Sequence, residues 1–276
     1  MFTSGHRSLK APLAFTMFRC ALLILPVALG AQKSAPSDTM SAMRSGTAQP
    51  AMASAAELPH PFFTHMGMPE GVGVYSLRVG GLANQGVDPA MGTRRSDFFF
   101  HFEAGLTERI GVHVRNDQFR SIPRTEVMFQ FLVLQSSDGM SGFAPIVEFE
   151  VPTRSEGGSR INTLTGFTTT LTRSRVAFNT ALHFNPREDM MDYSAGWVVA
   201  AGRRVFPVVE VLGTAGRGMA PGVRLLGGLK VPLTEHILVG LAVQVPLTTR
   251  RDFGSQLVFG PDFDWSTRRR AGAGMP

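Results

Sequence analysis

Two long alternating segments near the C-terminus constrain the fold most. Val223, Leu225, Gly227, Leu229 and Val231 interleave with Arg224, Leu226, Gly228 and Lys230. After Leu233-Thr234-Glu235-His236, the residues Ile237, Val239, Leu241, Val243 and Val245 interleave with Leu238, Gly240, Ala242, Gln244 and Pro246. A period of two sends successive side chains to opposite faces of a strand, so each segment carries one clean apolar face. Strands of soluble domains run about five or six residues. These run about ten, the length that crosses a bilayer when tilted.

The same period recurs from Gly71 onward. About twelve strands are expected, near 71–83, 95–106, 110–117, 125–135, 142–152, 161–171, 174–184, 191–202, 205–213, 222–232, 237–247 and 255–265. In the second, Phe98, Phe100, Phe102 and Ala104 oppose Asp97, Phe99, His101 and Glu103. Tight turns are expected near Thr107, Asp138, Thr172, Arg203 and Thr234, and Leu106-Thr-Glu-Arg109, Leu171-Thr-Arg-Ser174 and Leu233-Thr-Glu-His236 share their chemistry. Polar loops such as 84–94, 153–160 and 214–221 lie between them. Short turns at one end and longer loops at the other are the asymmetry of an outer-membrane barrel, with the short turns periplasmic. Tyr and Trp number only two each, so an aromatic girdle must lean on Phe. Pro145, Pro207 and Pro246 fall inside expected strands, where they must mark starts or bulges.

The N-terminus has the form of a secretory signal over residues 1–30. His6, Arg7, Lys10 and Arg19 precede an apolar run from Cys20 to Leu29, and Ala28 and Gly30 suit a cleavage site. Met17 is the more typical start for such a signal. The only cysteine, Cys20, lies within it, so the exported chain has no disulfide to rely on. Residues 31–70 are rich in Ala, Ser, Met and Pro without a period and are expected to be a disordered linker, with 59–70 as a transition that also reads as a plug-like segment at the barrel mouth, anchored by Phe62, Phe63 or Tyr75. The barrel is placed at 71–265 and a basic tail at 266–276. The net charge of +6 comes from Arg7, Lys10 and Arg19 at one end and Arg268, Arg269 and Arg270 at the other. The body is near neutral and offers no basic face for nucleic acid.

Charged residues on the inner faces of such strands must meet water or one another, because lipid rejects Arg or Lys at mid-depth by about 2–4 kcal/mol. The expected lumen set is His101, Glu103, His113, Arg115, Glu126, Glu148, Glu150, Arg175, His183, Glu210, Arg224 and Lys230. Such groups either fill the lumen with ion pairs or set the selectivity of a pore. No nucleophile motif is present, and neither an enzyme nor a resident cofactor is expected. The Gly-Gly pairs open no helix after a strand and are not phosphate loops. His60, His65, Met66 and Met68 offer imidazole and thioether ligands suited to Cu(I), which supports an alternative: an exported copper-handling protein. A soluble exported lipid-binding β-barrel is a further alternative.

Gly105-Leu-Thr-Glu-Arg-Ile-Gly-Val112, Ala144-Pro-Ile-Val-Glu-Phe-Glu-Val-Pro-Thr153, Arg204-Val-Phe-Pro-Val-Val-Glu-Val211 and Leu226-Gly-Gly-Leu-Lys-Val-Pro-Leu-Thr-Glu-His236 carry a resemblance. Over about residues 71–265 the chain resembles the outer-membrane transporter family first noted beside the phenol meta-cleavage pathway. The resemblance implies a barrel that passes small solutes, hydrophobic ones included, and names no substrate. The tail beyond Trp265 departs from barrels that end on an aromatic residue. The expectation is an all-β, up-and-down antiparallel transmembrane barrel in the cell outer membrane. It is expected to act as a passive, porin-like channel whose partners are outer-membrane lipid, the assembly machinery and an unnamed solute.

Overall fold

A computed structural model describes residues 58–87, 92–202 and 204–267. The signal over 1–30, the linker through 57, the turn residue Arg203 and the tail from 268 lie outside the described residues. Thirteen strands run in chain order: β1 (Val74–Gln85), β2 (Ser96–Gly105), β3 (Ile110–Asn116), β4 (Arg124–Phe131), β5 (Leu134–Gln135), β6 (Gly142–Pro152), β7 (Asn162–Arg173), β8 (Val176–Asn185), β9 (Met190–Val199), β10 (Phe206–Gly216), β11 (Met219–Pro232), β12 (Ile237–Pro246) and β13 (Ser255–Ser266). Sequence neighbours pair antiparallel from β1 to β4 and from β6 to β13, β4 pairs with β6, and β1 pairs with β13. The result is a closed antiparallel barrel of twelve long strands, with the two-residue β5 as a side branch on β6. Closure removes the free edges that would expose unpaired backbone groups to lipid.

The burial pattern follows the expected alternation and is inverted relative to a soluble protein. Leu229, Val231, Val239, Leu241, Val243, Val245, Leu257 and Phe259 are exposed, while Arg78, Glu103, Glu148, Glu210, Lys230 and Gln244 are buried. An apolar exterior around buried charges fits lipid as its solvent, and inside, an apolar cluster that includes Phe62, Phe63, Leu82, Phe99, Val208 and Leu226 lies beside those charges. A soluble lipid-binding barrel needs the reverse distribution. No helix among the described residues is long and apolar enough to cross a membrane. Tyr75, Trp265 and Phe102 stack at the end of the barrel where β1 begins and β13 ends, with Tyr75 5.7 Å from Trp265 and 6.3 Å from Phe102. This places Tyr and Trp tips where an interface would lie.

The three prolines expected inside strands sit where the ladder does not need their missing N–H. Pro145 falls where pairing on one side of β6 passes from Phe143, opposite β5, to Ile146, opposite β4. Pro207 precedes the first β9 pair of β10, Val208↔Val198, and Pro246 ends β12.

The loop asymmetry differs from expectation at 214–221 and at 132–141. Residues 214–221, expected as a polar loop, are mostly strand: β10 runs to Gly216 and β11 starts at Met219, across a register shift between Thr214 and Gly216. Gly218 has φ +76°, the left-handed geometry that lets so short a turn close. The polar composition misled because strand ends beyond the lipid need no apolar face. The loops 86–95, 117–123, 153–161 and 247–254 lie at the end opposite the turns 106–109, 174–175 and 233–236, where the one long connection is 132–141, which carries β5.

Candidate functional site

The linker expected to remain disordered through residue 70 instead enters the barrel at Leu58. Leu58, Phe62, Phe63, Thr64 and His65 are buried inside it. The segment climbs to an apex at 62–65 and descends along the wall. On the way down the Gly67 amide donates to Thr170 Oγ1 at 2.6 Å, Met68 packs against Gly142, and Pro69 packs against Gly111. His60 Nε2 and Glu70 Oε1 are 2.8 Å apart and clip the two limbs together. A Cβ on Gly67 would collide with the backbone of Thr169 and Thr170, so only glycine permits this approach to β7.

An irregular segment at membrane depth must satisfy its backbone from the wall. Here the wall divides the task by charge. The Glu210 carboxylate accepts the amides of Phe62 at 2.5 Å, Phe63 at 3.0 Å and Thr64 at 2.7 Å, and the Thr64 hydroxyl at 2.8 Å. Cations take the carbonyls: Arg78 donates to Pro61 O at 2.9 Å, Lys230 to Pro61 O at 3.2 Å, and Arg115 to Phe63 O at 3.1 Å. Gln130 Nε2 donates to Met66 O at 2.6 Å. Each of these cations has its own carboxylate: Arg78 pairs with Glu103, Arg115 with Glu126, and Lys230 with Asp262 at 2.5 Å. The Lys230 ammonium also lies 4.7 Å from the Phe62 ring centre. Three-way satisfaction of this kind makes buried charge tolerable.

Above the apex, toward the longer loops, is a cavity of about 250 Å³. Phe63 and His65 line it together with Arg115, Asp117, Glu126, Glu148, Glu150, His183, Asp192 and Arg224. His183 is held by Glu148 at 2.5 Å, and His101 by Asp117 at 2.6 Å. The His65 ring sits 5.3 Å from both His113 and His183, centre to centre. Burial, reinforced by the Arg115 guanidinium, pushes the His65 imidazole well below its ordinary value, so it is neutral. For His60, burial acts downward, but Glu103 and Glu70 outweigh it and raise its affinity for a proton. Lumen carboxylates Glu103, Asp117, Glu126, Glu148, Glu150, Asp192, Glu210 and Asp262 outnumber the lumen cations Arg78, Arg115, Arg224 and Lys230.

Of the expected lumen residues, His101, Glu103, His113, Glu148, His183, Glu210 and Lys230 are buried inside, and Arg115, Glu126, Glu150 and Arg224 are half-buried on the same side. Arg175 is the correction: β7 ends at Arg173 and β8 starts at Val176, so Arg175 lies exposed in the turn, beside Ser174 with φ 56°. Of the four residues expected as copper ligands, His60 and His65 both adjoin Glu103, His60 also meets Glu70, His65 also meets His113 and His183, the Met66 carbonyl meets Gln130, and Met68 lies on Gly142. Arg78, Gln130 and Asp262 were not singled out from the sequence. The signal for Arg78 was a lone charge at an inward position of an otherwise apolar strand.

Fold and lumen together define a closed transmembrane β-barrel stoppered from within by the segment that precedes its first strand. Among solved structures, it is similar to the NanC porin in a rhombohedral crystal form, with TM-score 0.50 and 7% identity over 70% of this chain and 100% of that chain. Outer membrane phospholipase A from Escherichia coli gives TM-score 0.43 and 13% identity, over 76% of this chain and 95% of that chain. No protein-family model and no curated protein matches the chain.

Proposed function

We propose that this protein is a porin-like channel of the outer membrane whose lumen is closed by its own N-terminal segment and conducts small solutes when that segment moves. The observation that carries the reading is the stopper itself. Its apex is held by exchangeable hydrogen bonds to wall side chains, and it forms the floor of a vestibule of about 250 Å³ that faces the longer loops. A barrel meant only as a scaffold could fill its lumen from the strands alone. The apolar exterior, the closed sheet and the porin-like fold support the outer membrane as its location. The hairpin segments that resemble the phenol meta-cleavage transporter family point the same way and leave the solute open.

Removal of residues 58–70 tests the reading in planar bilayers. The intact protein is expected to conduct weakly and the shortened one several-fold more, with heat-modifiable migration in gels verifying that the barrel has folded. A folded, shortened barrel no more conductive than the intact one would overturn it.

A further inference from the structure

At the plug's flank a histidine nitrogen of the wall faces a carboxylate oxygen, His113 Nδ1 3.6 Å from Glu103 Oε2. Gln130 Nε2 donates to the Met66 carbonyl, which fixes the orientation of the amide. Its Oε1 is therefore an acceptor, and His113 Nε2, 3.3 Å away, must carry the hydrogen. In the neutral ring the other nitrogen, His113 Nδ1, then carries the lone pair, and it lies 3.6 Å from Glu103 Oε2. Glu103 spends its Oε1 on Arg78, while Oε2 faces His113 Nδ1 at 3.6 Å and His60 Nδ1 at 3.4 Å. His65 completes the group: it is 3% exposed, and neither of its ring nitrogens has a hydrogen-bond partner. Ligand atoms of His65, Glu103 and His113 all lie within 4.8 Å of one another.

We propose that His65, His113 and Glu103 form a divalent transition-metal site that pins the plug to the β2–β3 wall. Two imidazoles and a carboxylate are the donor set of zinc and its neighbours, with bonds of about 2.0–2.2 Å. The 3.6 Å between His113 Nδ1 and Glu103 Oε2 is already close to the ~3.4 Å edge that tetrahedral ligation at such bond lengths sets. Gln130 and Arg78 act as outer partners that orient the imidazole and the carboxylate. The surplus of lumen carboxylates favours an added cation. One ligand comes from the plug and two come from the wall, so an ion here holds the stopper in place.

The site is independent of whether the barrel conducts. Full-length protein in detergent, stripped with chelator, is titrated with Zn²⁺ by calorimetry and with Co²⁺ by visible absorption. The expectation is one ion per chain, with a Co²⁺ spectrum of low-coordinate nitrogen and oxygen ligation. His65→Ala, His113→Ala and Glu103→Gln should each weaken Zn²⁺ binding roughly 10-fold or more, while His236→Ala, in an exposed turn, leaves it unchanged. Folding of each variant is read from heat-modifiable migration. If a lumen variant fails to fold, the Co²⁺ spectrum of the unmodified protein still decides. No binding, binding insensitive to His65 and His113, or a Co²⁺ spectrum of the hydrated ion would overturn the proposal.

Discussion

Glu210 bears more of the closed state than any other side chain in the lumen. It is fully buried, and its two oxygens receive the amides of three consecutive plug residues and one hydroxyl. Glu210→Gln keeps the volume but replaces one acceptor with an NH₂ group that faces backbone donors. With roughly 1–3 kcal/mol for each buried donor left unpaired, seating of the apex should weaken by about 2–4 kcal/mol. Hydrogen exchange at the amides of Phe62, Phe63 and Thr64 is then expected to speed up by more than tenfold while the barrel strands keep their protection. Unchanged exchange would mean that other contacts hold the apex. Glu210 itself was legible in the sequence, as one charge in an apolar strand at an inward position. Its role was not, because its partners are backbone amides and backbone leaves no trace in residue identity. Arg175 misled for the opposite reason: alternation alone cannot tell the last turn residue from the first strand residue.

At the scale of elements, the period-two pattern revealed the long strands, including the β11–β12 hairpin. Leu226 and Lys230 of β11 point inward there, and Leu229, Val231, Val239, Leu241 and Val243 point outward. The plug offered no such pattern. Its residues follow neither period, since each is fitted to a different patch of wall, and a chain without periodicity reads as a linker. The descending limb rests on one close approach, Gly67 against the backbone of β7. Gly67→Val should eject this limb without unfolding the barrel. Limited proteolysis is expected to cut within 58–72 in the variant and to spare the strands. If the segment stays protected, β7 yields more than packed strands ordinarily do.

Across the whole molecule, lipid and lumen divide the side chains, and the division was predictable because the bilayer imposes it on every strand alike. Leu241 is 56% exposed on the outer face of β12. Leu241→Arg should destabilise the membrane-embedded barrel by about 2–4 kcal/mol if the residue lies at mid-depth, falling toward zero near an interface. Refolding yield into bilayers, compared with Gln244→Arg on the inner face of the same strand, checks whether the loss comes from lipid contact. Equal effects from both would argue against a lipid-facing exterior.

The plug and the first strand are joined only through Gly71, Val72 and Gly73, with Val72 bridged to Gly105 and the Val74 amide bonded to Gly71 O at 2.8 Å. A stopper on so short a tether never leaves the neighbourhood of its seat. Its local concentration is on the order of millimolar or above, and dilution of the protein cannot lower it. Closing is therefore a first-order process, independent of copy number in the membrane. Any solute that holds the barrel open must compete with a ligand that the barrel carries with it.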